Sequence, residues 1–255
     1  MVKCLLSIAG FDPSGGAGIL LDVRLFERLG FGACGVLTAV TAQSPARTYR
    51  AKALPAPMIT AQFRGLKRSL DFAGIKVGMI GSRENVRAVA KILAENEGIP
   101  RVIDPVFKAS SGLRLLDRRA EPGFLKAVAA KAELITPNIE EASVLAGRPI
   151  KTARDARDAA RMIYDSSRIP CLVKGGHLRG PAVDVLYNGS SFKEFEHPRF
   201  KKSVHGTGCF LSSAILAYLA AGCGLESACR RGILLTVRAI HEAVPAGHGR
   251  SVFVF

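Results

Sequence analysis

The segment from His205 to Cys209 contains two glycines and a thiol, and it leads directly into the apolar run Phe210 to Ala221. This pattern predicts a glycine-rich turn that opens a helix. The first amides of a helix have no intrahelical partner and point outward at the positive end of its dipole, so the turn is suited to a phosphate group. The same field would favour the thiolate of Cys209, which makes this side chain a possible acid or base. The alternative is a glycine-capped core helix with a small buried cysteine.

The segments that would position this turn alternate between short β-rich runs and longer helical patterns. Such alternation predicts right-handed βαβ crossovers and a largely parallel sheet covered on both faces. Two late runs flank Asn188 to Ser191, which predicts a β-hairpin, and Val252 to Phe255 could add a closing strand. We therefore expect one three-layer α/β domain over residues 1–255. The predicted strands are Val2–Ala9, Cys34–Val40, Gly74–Ile80, Arg101–Ile103, Leu134–Ile135, Cys171–Lys174, Asp184–Tyr187 and Phe192–Phe195. The predicted helices are Ala17–Leu29, Ile59–Leu70, Glu84–Glu95, Pro122–Ala130, Asn138–Leu145, Ala153–Asp165, Gly208–Ala221 and Leu225–Ala243.

Polar and glycine-rich motifs follow the predicted strands. In open parallel sheets, ligands bind beyond the carboxyl ends of the strands, so these motifs should share one rim. Each motif alone is also a plausible turn. The motifs are Gly10 to Gly18, Thr41 to Gln43, Asp104-Pro105, Thr136 to Asn138 with Glu140 and Glu141, and Gly175 to His177.

These motifs occur in the order found in one family of small-molecule kinases. The chain resembles the hydroxymethylpyrimidine/phosphomethylpyrimidine kinases of thiamine biosynthesis, within the ribokinase superfamily, over essentially its whole length. The most specific matches are the first glycine-rich loop, Lys174 to Leu178 and His205 to Cys209. The resemblance implies a ribokinase-like α/β/α sandwich that uses ATP and Mg²⁺ to phosphorylate 4-amino-5-hydroxymethyl-2-methylpyrimidine, and then its monophosphate to the diphosphate. It also implies a homodimer or higher homo-oligomer.

The resemblance assigns a pyrimidine pocket to four residues. Gln43 is similar to the family residue that hydrogen-bonds the ring, where a primary amide can offer a donor and an acceptor together. The other three would line the same pocket, although each has a simpler explanation as a turn, a solvated helix residue or a core side chain. These are Gly10, Asp22 and Met79.

The phosphate side of the site follows in the same way. Lys174 would meet the ATP phosphates, and Asp104 with Glu141 would hold Mg²⁺ directly or through water, because this hard ion keeps much of its hydration. Helix-start carboxylates such as Glu141 are also ordinary capping residues. The resemblance further assigns the anion hole for the transferring phosphoryl group to Gly206, Thr207 and Gly208, with Thr207 also in the ATP site.

Cys209 occupies the position where most ribokinase relatives place an aspartate base. A hydroxymethyl substrate loses a proton as it attacks, and a thiolate could accept that proton. A phosphate monoester already carries about −1.5 to −2 charge near neutrality and would be repelled by a fixed carboxylate. Our hypothesis is that a thiol, which can stay neutral, lets one site accept both nucleophiles.

Two aromatic residues depart from the family pattern. Phe11 stands where members usually have Ser or Thr, and Phe210 stands where they usually have Thr. The resulting loss of hydroxyl groups bears on substrate choice more than on reaction class.

A pyridoxal or pyridoxine kinase of the same superfamily is the nearest alternative, since its substrates are also flat nitrogen heterocycles with a hydroxymethyl group.

Composition limits the remaining classes of protein. The chain has 255 residues, 48% of them hydrophobic, and its longest apolar run is too short to span a bilayer, so we expect a cytoplasmic protein with no membrane association. Six cysteines without a C-x-x-C pair and five scattered histidines indicate neither disulfides nor zinc. A formal charge of +15 favours polyanionic ligands such as nucleotides. A nucleic-acid-binding protein is the non-enzymatic alternative, but the basic residues are dispersed and form no recognisable motif.

Overall fold

One twisted sheet of nine strands forms the middle layer, in the order β3-β2-β1-β4-β5-β6-β7-β8-β9. The structure is a computed structural model that describes residues 3–128, 132–176, 182–247 and 250–255. A separate pair, β10 and β11, is antiparallel. The strands are β1 (Cys4–Phe11), β2 (Gly32–Gln43), β3 (Thr48–Ala53), β4 (Phe72–Val77), β5 (Arg101–Ile103), β6 (Leu134–Ile135), β7 (Cys171–Val173), β8 (Ala182–Tyr187), β9 (Phe192–His197), β10 (Val244–Pro245) and β11 (Ser251–Val252).

The centre of the sheet is parallel and its borders are antiparallel. Strands β2, β1, β4, β5, β6 and β7 run in one direction, with β1 paired to β2 and β4 on its two sides. Strand β3 turns back along β2, whereas β8 turns back along β7 and pairs with β9. The carboxyl ends of six strands therefore lie along one edge, where the predicted motifs follow them.

Helices cover both faces of the sheet. Neighbouring residues on β1 point to opposite sides, so Leu5 joins the core beneath α1, α7 and α8, whereas Leu6 joins the core beneath the other five helices. This arrangement gives the three layers expected from the sequence. The helices are α1 (Gly18–Arg28), α2 (Ala56–Lys67), α3 (Arg83–Ala94), α4 (Glu121–Val128), α5 (Ile139–Ala146), α6 (Ala153–Ser167), α7 (Thr207–Ala220) and α8 (Leu225–Glu242).

The predicted elements agree with the structure, with small differences at their ends. The predicted hairpin is present as β8 and β9. Strand β3 was not predicted, and the closing strand pairs with β10 instead of joining the main sheet. Val2, the end of the fourth predicted helix, and His177 with Leu178 lie outside the described residues. Within the described part of the chain, no helix combines the length and the apolarity needed to cross a membrane.

Candidate active site

The glycine-rich turn opens α7 as predicted. Gly206 precedes the helix with a φ of +80°, a left-handed conformation, and a Cβ there would collide with the carbonyl oxygen of Gly16. No side chain caps this helix. Its first backbone hydrogen bond is donated by Phe210 N to Gly206 O, at 2.9 Å. The amides before Phe210 therefore lie at the open, positive end of α7, where an anion can accept hydrogen bonds from them.

A basic and an acidic side chain meet beside this turn. Lys174 follows β7 and Asp104 follows β5, and Lys174 Nζ lies 2.8 Å from Asp104 Oδ1. A Cβ on Gly208 would stand 3.2 Å from the same ammonium, so the first turn of α7 adjoins this pair. Burial raises the pKa of Asp104, but Lys174 and Lys76 outweigh burial and hold it below its usual range. Asp104 is therefore ionised at neutral pH.

Glu141 completes the acidic pair from the first turn of α5. Its Oε2 accepts a hydrogen bond from the amide of Asn138 at 2.8 Å, and the Asn138 side chain accepts from the amide of Glu141 in return. Burial, with a smaller contribution from the charge of Asp104, raises the pKa of Glu141 to about 8 despite the opposing charge of Lys174. The structure thus places Glu141 in both of its expected settings, a helix cap and a neighbour of Asp104.

These two carboxyl groups suit a hard dication. Among the described residues, no cluster contains three or more acidic, histidine or cysteine ligands. A pair of buried carboxyl groups, in which burial and the charge of Asp104 raise the pKa of Glu141, fits an ion that takes oxygen ligands and completes its shell with water or phosphate. It does not fit a fully protein-coordinated zinc site.

The thiol of Cys209 differs from the expectation drawn from the helix dipole. Burial raises its pKa to about 11, and the charges of Asp104 and Asp22 act in the same direction. The ammonium of Lys76 opposes this shift without overcoming it. The prediction of a readily available thiolate is therefore wrong for the protein without ligands, because desolvation outweighs the helix end, and the thiol is neutral at physiological pH.

Asp22 lies beneath this turn and has no side-chain exposure. Its carboxylate accepts hydrogen bonds from Ser7 Oγ at 2.6 Å and Ser213 Oγ at 2.8 Å, and Lys76 Nζ lies 2.8 Å from its Oδ2. Lys76 is equally buried, and Asp22 helps to raise its pKa above the usual range against the effect of burial. Asp22 is thus neither solvated nor exposed at a pocket wall in this structure. It is the counter-ion of a buried ammonium.

Gln43 lies at the end of β2 and joins two other parts of the rim. Its amide nitrogen is 2.8 Å from His205 Nε2, and its Oε1 accepts a hydrogen bond from Thr48 Oγ1 at 2.8 Å. His205 Nε2 also lies 2.8 Å from Asp12 Oδ2 in the first glycine-rich loop. The fold therefore brings the side-chain amide that is predicted to bind the pyrimidine next to His205, the first residue of the glycine-rich turn before α7.

Gly10 and Met79 form another part of the rim. A Cβ on Gly10 would stand 2.7 Å from the Met79 sulfur, so the two residues are in direct contact. The Met79 carbonyl accepts a hydrogen bond from Thr38 Oγ1, which fixes the turn after β4 against β2. Met79 is almost fully buried. The predicted pocket residues thus separate into a rim group, Gly10, Gln43 and Met79, and the deeper Asp22.

Sequence reasoning assigned no role to Asp12, Lys76 or His205. Asp12 and His205 stand in motifs that were recognised and Lys76 stands in a predicted strand, but the partners of all three come from distant segments. A lysine in the middle of a predicted buried strand is the one signal that could have marked Lys76, because a buried ammonium needs a counter-ion. No comparable signal marks His205.

Comparison with known proteins identifies the family of this chain. The chain matches the model of the phosphomethylpyrimidine kinase family over residues 12–253. It is 37% identical over 253 residues to a hydroxymethylpyrimidine/phosphomethylpyrimidine kinase of Aquifex aeolicus, covering 98% of this chain and 99% of the relative. A phosphomethylpyrimidine kinase structure from Clostridium difficile superposes with a TM-score of 0.82 at 33% identity, covering 93% of this chain and 99% of the other. An ADP complex of Bacillus subtilis pyridoxal kinase gives 0.90 at 28% identity, with 99% and 97% coverage.

The fold is that of a ribokinase-like kinase, a class of phosphotransferase. More specifically, the chain belongs to the phosphomethylpyrimidine kinase family. The expected family, fold class and enzyme class are therefore confirmed, and the names of its relatives place the family in thiamine biosynthesis.

Proposed function

We propose that the protein uses ATP to phosphorylate 4-amino-5-hydroxymethyl-2-methylpyrimidine, and then the resulting monophosphate to the diphosphate. The observation that most supports this function is the contact between Gln43 and His205. It joins an amide suited to an aminopyrimidine directly to a loop suited to a phosphoryl group. A hydroxymethyl group on a ring held by Gln43 would then lie near the start of α7.

The chain's own residues contribute mainly position and charge. Phosphoryl transfer proceeds through a loose transition state, so catalysis rests on alignment and electrostatic stabilisation more than on a strong base. The amides of Gly206, Thr207 and Gly208 would bind the oxygens of the transferring group, and Lys174 would bind the ATP phosphates. Cys209 would accept the alcohol proton in the first reaction only in its ionised form, which is a minor fraction because burial raises its pKa to about 11. Because its thiol is neutral at rest, it adds no negative charge beside the monophosphate in the second.

The cation required by this chemistry is Mg²⁺, held by Asp104 and Glu141. When bound, it would neutralise charge on the ATP phosphates. The two carboxyl groups also fit this ion because each is buried and the charge of Asp104 disfavours ionisation of Glu141. A bound dication would lower the pKa of Glu141 and favour its ionised form.

A second candidate activity is phosphorylation of pyridoxal. It is favoured by the TM-score of 0.90 to the Bacillus subtilis pyridoxal kinase, against 0.82 to the Clostridium difficile phosphomethylpyrimidine kinase. An ATP-dependent assay with the pyrimidine alcohol, its monophosphate and pyridoxal, each product being followed separately by mass, tests both activities. Formation of mono- and diphosphate from the pyrimidine is expected, and phosphorylation of pyridoxal alone would overturn the primary proposal.

Assembly and location complete the proposal. The family resemblance implies a homo-oligomer, and the composition of the chain favours the cytoplasm and small-molecule ligands over nucleic acid. Light scattering tests the oligomer. Binding to random RNA measured across a salt series tests the alternative, because a protein that tracks phosphates loses affinity steeply as salt rises.

A further inference from the structure

His205 connects the first glycine-rich loop to the end of β2. Its Nε2 lies 2.8 Å from both Asp12 Oδ2 and the Gln43 amide nitrogen. The ring is buried, and its Nδ1 is a buried atom without a hydrogen-bond partner in the described part of the chain. A buried histidine whose two contacts share one ring nitrogen has a restricted choice of protonation state.

Asp12 determines that state. Burial raises its pKa, but hydrogen bonds from His205 and from the hydroxyl and amide of Ser14 outweigh burial and leave the pKa below its usual range. The carboxylate is therefore ionised and can only accept hydrogen bonds. Consequently, His205 Nε2 bears a proton and donates it to Asp12.

This proton on Nε2 constrains Gln43. An amide nitrogen and a protonated Nε2 are both donors, and two donors at 2.8 Å do not form a hydrogen bond. Turning the amide by 180° places the carbonyl oxygen of Gln43 at His205, where it can accept a hydrogen bond. Thr48 is satisfied in either orientation, because its hydroxyl can accept as well as donate.

We propose that His205 is a positioning residue that fixes the direction of the Gln43 amide. The carbonyl oxygen of Gln43 then lies beside His205, and its amide nitrogen lies beside Thr48. This inference rests on the proposed function, in which Gln43 reads the pyrimidine. The direction of the amide decides which end of the ring edge meets a donor and which meets an acceptor. A heterocycle that offers its amino group and ring nitrogen in the opposite order would leave buried polar groups unpaired, which is costly.

The first test measures the tautomer of His205 by ¹⁵N NMR of histidine-labelled protein. We expect a proton on Nε2, and the signal is assigned by its loss in His205→Gln. A neutral ring protonated on Nδ1 would make Nε2 an acceptor, restore the opposite amide orientation and overturn the proposal. This measurement does not depend on any enzymatic activity.

The second test is a double-mutant cycle between His205 and Gln43, measured by steady-state kinetics. We expect His205→Ala to raise KM for the pyrimidine alcohol by about tenfold while kcat and KM for ATP change less than about threefold, and Gln43→Ala to make the histidine change nearly silent. His205→Gln, which returns an N–H donor, should recover much of the affinity. His241→Ala, an exposed ring on α8, is the control.

Two results separate the possible failures. An equal effect of His205→Ala in the wild-type and Gln43→Ala backgrounds, or an effect on kcat alone, would overturn the positioning role while the proposed function stands. Absence of pyrimidine phosphorylation by the wild-type protein would overturn the proposed function instead. Thermal unfolding of each variant identifies a loss of fold, and the NMR result then decides the inference.

Discussion

Lys76 and Asp22 form an ion pair in which neither side chain has any solvent exposure, with Nζ 2.8 Å from Oδ2. Removal of one partner leaves an uncompensated buried charge. We expect Lys76→Met to lower the free energy of unfolding by about 3 to 5 kcal/mol, measured by urea denaturation. The double variant Lys76→Met, Asp22→Leu should recover part of that loss. A double variant less stable than Lys76→Met would show that Asp22 has a second essential partner.

Substitution of Cys209 separates the two phosphorylation steps. Cys209→Asp places a fixed negative charge beside the incoming monophosphate, so we expect the second step to slow by at least about tenfold more than the first. Cys209→Ser is the matched control, because it keeps the position neutral: it should spare the second step and slow the first, in which the thiolate accepts the alcohol proton. Rates are measured separately with the alcohol and the monophosphate. Equal losses for Cys209→Asp would contradict a role for neutrality at this position.

Asp104 is expected to govern the response to Mg²⁺. Asp104→Asn removes an ionised carboxylate next to Lys174, and we expect the Mg²⁺ concentration for half-maximal rate to rise by at least about tenfold. Removal of the ion with a chelator should abolish activity in both proteins. Asp158→Asn, a half-exposed carboxylate on α6, is the control. An unchanged Mg²⁺ titration would show that Asp104 does not hold the ion.

Phe210, at a position where the family resemblance predicts a hydroxyl, packs against other aromatic rings. Its ring is 3% exposed and its centroid lies 4.4 Å from that of Phe253 in the last segment of the chain. We expect Phe210→Thr to lower the free energy of unfolding by about 3 kcal/mol, although Thr is the usual family residue. Val254→Ala, exposed in the same segment, should have little effect. Stability of Phe210→Thr equal to that of the wild type would mean that this aromatic contact contributes nothing.

The pair formed by His197 and Asp184 predicts a pH dependence of stability. Asp184, whose Oδ1 lies 3.4 Å from His197 Nε2, raises the pKa of His197 in the folded protein. A raised folded pKa gives stabilisation that is complete below the ordinary value near 6.5 and is lost as pH rises through the folded value. The effect is about 1 kcal/mol or less because the ring is partly solvated. Urea midpoints of wild type and His197→Gln should converge above that window, and a constant difference would contradict the ion pair.

The periodic helices and buried strands were predictable because their apolar residues recur at the spacing that the sheet and its helices require. Strand β3 was not, since its exposed positions carry Tyr49, Arg50 and Lys52, which resemble a polar loop. Such an edge strand depends on β2 for its conformation, and the residue pattern of the strand itself does not reveal that partner.

The site residues were predictable as types and not as an arrangement. Asp22 has the pattern of a solvated helix residue because Lys76 and Ser213 reach it only through the packing of β4 and α7. The raised pKa of Cys209 likewise depends on burial, which a motif does not encode. Sequence spacing predicted the chemistry, and three-dimensional packing determined the charge state of the groups proposed to perform it.

The polar contacts of the site join segments that are far apart in the chain: Asp12 and His205 are 193 residues apart, Asp22 and Ser213 are 191 apart, and Gln43 and His205 are 162 apart. Closing such large loops costs entropy before any contact compensates for it, and non-local pairings form slowly. During refolding, the regain of helical signal should therefore precede the regain of activity. A chain still lacking its last quarter would have most of its sheet and no phosphate-binding turn.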